Sequence, residues 1–268
     1  MKKIVVTLLS FFVMAQSAFA KDISTYLTGN YINPKDAQER LEKVGFEIVT
    51  KYTSVKDGLT IVFTNAALIK EASKPTRAHA AVLRLFIDNA EKKISFTNPI
   101  YFGKAFMQDD YKAEVFEEQL ASIKKVFPVL DESIDKLDED DVSGYHFMMG
   151  MPYYEDSDEL GEGTTEELLA QVKSYKKGKF VLFTLKLSDD SYLVGYDLAK
   201  RTKKFVKKIG RANGAVLPYT ISIENGKATS MEAKYYLAVS YPLLTMTEFT
   251  TIATVPGAIK KDLSKPFK

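Results

Sequence analysis

Histidine and cysteine, the side chains that titrate or react most readily near neutrality, are scarce in this 268-residue chain, which has two histidines and no cysteine. His79 follows Arg77-Ala78 ahead of an apolar run, and His146 lies in Tyr145-His146-Phe147-Met148. Imidazole titrates near neutrality, so both are candidate catalytic residues. Neither belongs to a recognisable triad, and an ordinary structural role is the plainer reading of each. The chain also has no G-x-S-x-G elbow, dinucleotide-binding G-x-G-x-x-G, phosphate loop or H-E-x-x-H zinc helix.

A second kind of chemistry is suggested by charge. Between Asp131 and Glu167 there are 14 acids and one base, Lys136. Within that run, Asp156, Asp158, Glu162 and Glu167 partly match the twelve-residue calcium loop, with Gly161 at its sixth position. Leu160 stands where a fifth-position oxygen is expected, so calcium competes with a solvated acidic loop. No other cofactor is predicted. A basic run from Lys200 to Arg211 contains Lys200, Arg201, Lys203, Lys204, Lys207 and Lys208 over Leu198, Phe205, Val206 and Ile209. It reads as an anionic-surface patch or as the solvated side of an amphipathic helix from Leu198 to Ile209. Setting aside residues 1–20, which hold Lys2 and Lys3 and no acid, leaves 35 basic and 35 acidic residues. That balance gives no reason to expect nucleic acid as a partner.

These side chains must be positioned by elements that the pattern predicts. Lys2, Lys3, the apolar run Ile4 to Ala15 and Ala18-Phe19-Ala20 form an export signal, with cleavage expected after Ala20 and a periplasmic or secreted product. No later run has the length of a membrane span. Without disulfides, stability has to come from a packed core. Asn33-Pro34 opens a helix that ends at Gly45, and Phe46–Tyr52 and Leu59–Phe63 form a hairpin around Lys56-Asp57-Gly58. Ala66–Lys74 is helical, and Ala80–Ile87 with Lys92–Phe96 makes a second hairpin. Phe116, Leu120, Ile123 and Phe127 stripe a helix over Lys112–Phe127. The alternation in Tyr145–Tyr154 predicts a strand. Thr164-x-x-Glu167 caps the next helix, Phe180–Leu187 pairs with Tyr192–Tyr196, and Asn225-Gly226 marks a hairpin after Ala215–Ile223.

Two stretches look alike, Lys93–Phe106 (KISFTNPIYFGKAF) and Lys234–Phe249 (KYYLAVSYPLLTMTEF). Each reads as a strand that runs into a helix with Pro99 or Pro242 in its first turn. The expected fold is therefore α+β, with two tandem similar modules, each an antiparallel sheet with helices mainly on one face. Residues 21–130 form the first, 131–163 an acidic connection with one strand, and 164–268 the second. At the ends of these predicted strands, Asn98, Gly103, Tyr145 and Tyr241 are candidate ligand-binding residues for a cleft between the modules.

The helix–strand run Glu39–Tyr52, the element Asn98-Pro99-x-x-x-Gly103-x-x-x-Met107 and the strand ending Met151-Pro152-Tyr153-Tyr154-Glu155-Asp156 resemble the bacterial domain-of-unknown-function family 302. The resemblance covers the first half of residues 21–268. In the second copy Tyr241-Pro242 replaces Asn-Pro, and Thr245-Met246 offers no matching glycine. The resemblance implies an antiparallel sheet with helices on one side, and no assigned chemistry. The functional expectation is an exported binding or interaction protein whose partner is a small molecule or an envelope protein. The alternative is an enzyme using acid–base residues in a cleft between the modules.

Overall fold

The structure is a computed structural model describing residues 21–268; the export signal read at residues 1–20 lies outside the described residues. Among the described residues no helix is long and apolar enough to cross a membrane. The protein is α+β, and its strands pair antiparallel. The chain begins with β1 (Asp22–Ser24), β2 (Tyr26–Asn30), α1 (Pro34–Lys43), β3 (Glu47–Val55), β4 (Gly58–Thr64) and α2 (Ala66–Ala72). It continues through β5 (Leu83–Asp88), β6 (Lys93–Thr97), α3 (Pro99–Met107), α4 (Ala113–Val126), β7 (Asp131–Glu132) and β8 (Lys136–Asp138). Next come β9 (Asp158–Glu162), α5 (Thr165–Ser174), β10 (Val181–Lys186), β11 (Ser191–Tyr196) and α6 (Val206–Ile209). The last elements are β12 (Tyr219–Glu224), β13 (Lys227–Ser230), α7 (Ala233–Ser240), α8 (Met246–Thr251) and α9 (Val255–Ser264).

The N-terminal sheet has the order β3-β4-β5-β6-β2-β7 and the C-terminal sheet β10-β11-β12-β13-β9, while β1 pairs with β8. In both large sheets, two successive hairpins supply four strands. The strand that precedes the first helix, β2 or β9, docks beside the last of them. Local chemistry explains many of the boundaries. Asn33 accepts the N–H of Lys35 at 2.8 Å with Pro34 at the first helical position, and Thr164 and Glu167 complete a reciprocal capping box. Asn225 and Gly226 both have positive φ, as a two-residue hairpin loop requires.

The two faces of each sheet meet different neighbours. Strand β5 alternates Leu83, Leu85 and Ile87 with Arg84, Phe86 and Asp88. The leucine side belongs to an aromatic ladder, Phe46–Phe63–Phe96–Phe127, with ring centroids 4.9, 6.2 and 4.8 Å apart, which ties this face to the ends of α1 and α4. The opposite side meets the 3₁₀ turn Arg211–Val216 from the C-terminal part of the chain. Gly214 lies so close to Phe86 that a Cβ there would stand 2.4 Å from the ring. The converse contact also exists: the 3₁₀ turn Ala78–Ala81 places His79 against Thr220 of β12. Between them, α3 and α7 exchange hydrogen bonds, Tyr101 Oη to the Val239 carbonyl at 2.7 Å and Tyr235 Oη to the Ala105 carbonyl at 3.1 Å.

Several sequence expectations are corrected. Lys234–Ser240 lies in helix α7, which the Glu232 carboxylate caps by accepting the N–H groups of Lys234 and Tyr235 at 2.5 and 3.3 Å. This helix is buried nearly all round, so its apolar residues do not distinguish helix from strand. Pro242 follows it rather than opening a helix, and the residue in the role of Asn98 is Glu232. Tyr145–Tyr154 is irregular, with Gly150 at φ +83° and Met149 fully outward. The strand lies further on, at β9, where Glu159 and Glu162 flank Lys227 of β13 at 2.7 and 3.7 Å. Charged side chains on an edge strand disguise it as a loop. The acidic connection is accordingly divided, with β7 joining the N-terminal sheet and β9 the C-terminal one. Finally, the basic stretch is a 3₁₀ turn, Thr202–Phe205, followed by the single helical turn of α6. Asp262 holds its start by accepting from the Ala199 N–H at 3.0 Å and the Thr202 hydroxyl at 2.6 Å.

Candidate functional site

A cavity of ≈300 Å³ opens on the face of β12 and β13, lined among others by Thr76, His79, Tyr154, Glu224, Lys227 and Met231. Its floor comes from the C-terminal sheet and its wall from the connection after α2. Thr76 is the hinge of that wall, with φ +65°. A β-branched residue in the left-handed region is strained and persists only where its surroundings fix it. Here both peptide groups are fixed: the Thr76 N–H donates to the Glu224 carboxylate at 3.1 and 3.2 Å, and the Tyr154 hydroxyl donates to the Thr76 carbonyl at 2.6 Å. The Arg77 guanidinium lies 5.7 Å from the centroid of the Tyr154 ring.

His79 lies at the bottom of this cavity and is only 6% exposed. Its Nδ1 shares a 2.9 Å hydrogen bond with the Thr220 hydroxyl, and among the described residues its Nε2 has no partner. Burial, reinforced by the charge of nearby Arg84, pushes the imidazole pKa down to about 3. It is therefore neutral at physiological pH, with one ring nitrogen left to meet a ligand. Arg84 is itself buried and donates to the Pro218 carbonyl at 3.3 Å. The mouth carries Glu155, Glu159 and Glu224 against Lys227. Lys227 in turn holds the Glu159 carboxyl below its ordinary range, so that charge is maintained.

A second cavity, ≈410 Å³, occupies the corresponding place on the N-terminal sheet and is lined by Phe86, Asp88, Lys93, Ser95 and Arg211 among others. Asp88 faces Lys93 across its hairpin as Glu224 faces Lys227. The chemistry differs, because Arg211 grips Asp88 through Nε at 3.0 Å and Nη2 at 2.8 Å. The carboxylate there is neutralised by a guanidinium, whereas among the described residues Glu224 meets a backbone N–H and the Ser222 hydroxyl and no cation within 4.0 Å.

Of the candidate catalytic, ligand-binding and calcium residues read from the sequence, His79 alone is in the lining of the first cavity among the described residues. His146 is half-buried and its ring meets that of Tyr153 at a tilt of 40°, with centroids 4.4 Å apart. Asn98 caps α3 and donates to the Ser24 carbonyl at 2.7 Å. Gly103 lets α4 approach, since a Cβ would fall 2.5 Å from the Phe116 ring. Tyr145 is half-buried, with its phenol pushed up to about 12 by burial. Tyr241 is buried and donates to the Asn213 carbonyl at 2.8 Å. The proposed calcium residues are spread over other tasks. Asp156 accepts the Tyr153 N–H at 2.9 Å, Asp158 pairs with Lys260 at 2.6 Å, Glu162 stands near Lys227 and Glu167 caps α5. Among the described residues no three His, Asp or Glu side chains gather as a metal site. Sequence reading missed Thr76, Thr220 and Glu224, which carry no motif and meet only across the packed sheets.

Comparison of the chain with protein-family models, with curated proteins and with solved structures finds no match in any of the three.

Proposed function

We propose that this is an exported binding protein of the cell envelope, whose ligand is a small molecule carrying a protonated amine and a hydrogen-bonding group. The observation that carries the reading is the unpartnered Nε2 of buried His79 at the base of a cavity whose mouth is lined by Glu155, Glu159 and Glu224. An amine gains from the carboxylates, while a hydroxyl or amide reaches the neutral imidazole. Binding is favoured over catalysis because a histidine held at a pKa of about 3 and bonded to a hydroxyl is poorly matched to proton transfer near neutrality.

The reading includes a duplicated unit. Its supports are the shared strand order of the two large sheets and the reciprocal Tyr101–Val239 and Tyr235–Ala105 bonds. Contacts that run i to j and j to i are the mark of a two-fold interface. The two cavities are then cognate, and the Asp88–Arg211 pair leaves the His79 cavity as the one with an acid free for an amine.

The test is mass spectrometry of the native protein purified from the exporting cell, followed by calorimetry with primary amines and their hydroxyl analogues. Binding of an amine that weakens at least about tenfold in Glu224→Gln supports the reading. Equal binding of the hydroxyl analogue, or binding unaffected by Glu224→Gln, overturns it.

A further inference from the structure

Folding brings two basic segments of the chain together. Tyr175, Phe180, Ala199 and Lys265 line one small depression, so the turn after α5 and the turn after β11 are neighbours. The first turn exposes Lys176, Lys177 and Lys179, with Lys176 and Lys177 both left-handed at φ +48° and +58°. The second exposes Lys200, Arg201, Lys204 and Lys207. Among the described residues none of these seven has a carboxylate within 4.0 Å, whereas Lys186, Lys203, Arg211 and Lys265 nearby are paired. The acidic stretch from Asp131 to Glu167 is therefore not in ion-pair contact with them. Beside this surface, Lys208 donates to the Thr251 carbonyl at 2.7 Å and so adjoins α8. Leu243, three residues before α8, and Met246, its first residue, are 54% and 49% exposed.

We propose that this face docks the protein on an anionic lipid surface. Six of the seven unpaired cations are lysines, whose mobile point charges suit a diffuse layer of headgroups. Base readout favours the planar fork of arginine. The neighbouring leucine and methionine supply apolar side chains that reach below the headgroups while the lysines remain among them. Residues 21–268 carry 35 charges of each sign, so a lysine-rich face leaves an excess of acid elsewhere. That asymmetry orients the molecule toward a negative surface. The proposal is independent of the ligand cavity.

The experiment is co-sedimentation of the full mature chain with vesicles of phosphatidylglycerol mixed into phosphatidylcholine, and with pure phosphatidylcholine vesicles, at low and high salt. The variant is Lys200→Gln, Arg201→Gln, Lys204→Gln and Lys207→Gln combined. Its control has the same charge change at exposed positions elsewhere, Lys43→Gln, Lys70→Gln, Lys124→Gln and Lys125→Gln. Salt-sensitive binding to the anionic vesicles, at least about tenfold weaker in the first variant and retained in the control, is the expected result. The proposal is overturned by equal binding to both vesicle types, by equal loss in both variants, or by retention on heparin without any vesicle binding.

Discussion

Tyr101 and Tyr235 are the third residues of α3 and α7, and each phenol donates to the carbonyl of the seventh residue of the other helix, Val239 and Ala105. Carbonyls in the last turn of a helix have no partner within it, so each helix completes the other. The exchange is nearly symmetric, with one difference: the Ala105 carbonyl also accepts from Gln108 Nε2 at 2.6 Å.

That difference predicts unequal losses. Tyr101→Phe leaves the buried Val239 carbonyl without its phenol and should lower stability by about 1–3 kcal/mol. Tyr235→Phe leaves Gln108 in place, so the loss should be about 0.5–1.5 kcal/mol. Urea unfolding of both variants at unchanged m-value checks the order, and a larger loss at Tyr235 contradicts it.

Gly103→Ala separates helix propensity from packing. Propensity alone favours alanine by about 1 kcal/mol. The new methyl would meet the ring of Phe116, itself 1% exposed, at 2.5 Å. Overpacking of this kind costs about 1–3 kcal/mol, so the variant should be less stable than the parent. A gain in melting temperature would show that α4 can move away.

Acid should weaken the fold through His79 before the carboxylates contribute. The unfolded imidazole takes up a proton below pH ~6.5, while the folded one resists until about pH 3. The unfolded state therefore binds more protons in that window, and stability falls as pH is lowered, by at most about 1.4 kcal/mol per pH unit. His79→Gln should flatten the slope between pH ~6.5 and ~5, whatever its effect on stability at neutrality. Denaturant titrations across that range decide it, and an unchanged slope counts against a buried neutral histidine.

Asp88→Asn probes a lower window. Burial raises the Asp88 pKa, but the Arg211 guanidinium and the N–H groups of Glu91 and Ala90 outweigh it and hold the carboxyl below its ordinary value. Because the folded pKa is depressed, this stabilisation is present above pH ~4 and is lost as pH falls through the folded value. The variant should lose about 3 kcal/mol at neutral pH, leaving Arg211 without its anion. Below pH ~4 the gap to the parent should narrow, which acid titration of both proteins measures.

Most elements that depend on neighbours along the chain could be read from the sequence. The Asn33-Pro34 start of α1, the Thr164–Glu167 box and the Asn225-Gly226 turn each rest on contacts within about four residues, and each formed as expected. Where the pattern was ambiguous, distant packing decided. The buried helix α7 carries apolar residues on all sides, so neither a strand nor a helix period stood out between Lys234 and Tyr241. Strand β9 looked like a loop because its charges serve Lys227 on a strand more than sixty residues away. The α+β class was legible from the residue pattern. What surrounds His79 was not, since Thr220, Glu224 and Tyr154 come together only when the connection after α2 is laid across the second sheet. Local hydrogen bonds leave a signature in adjacent residues. A cavity is made by elements far apart in the chain, and its lining carries no fixed spacing along it.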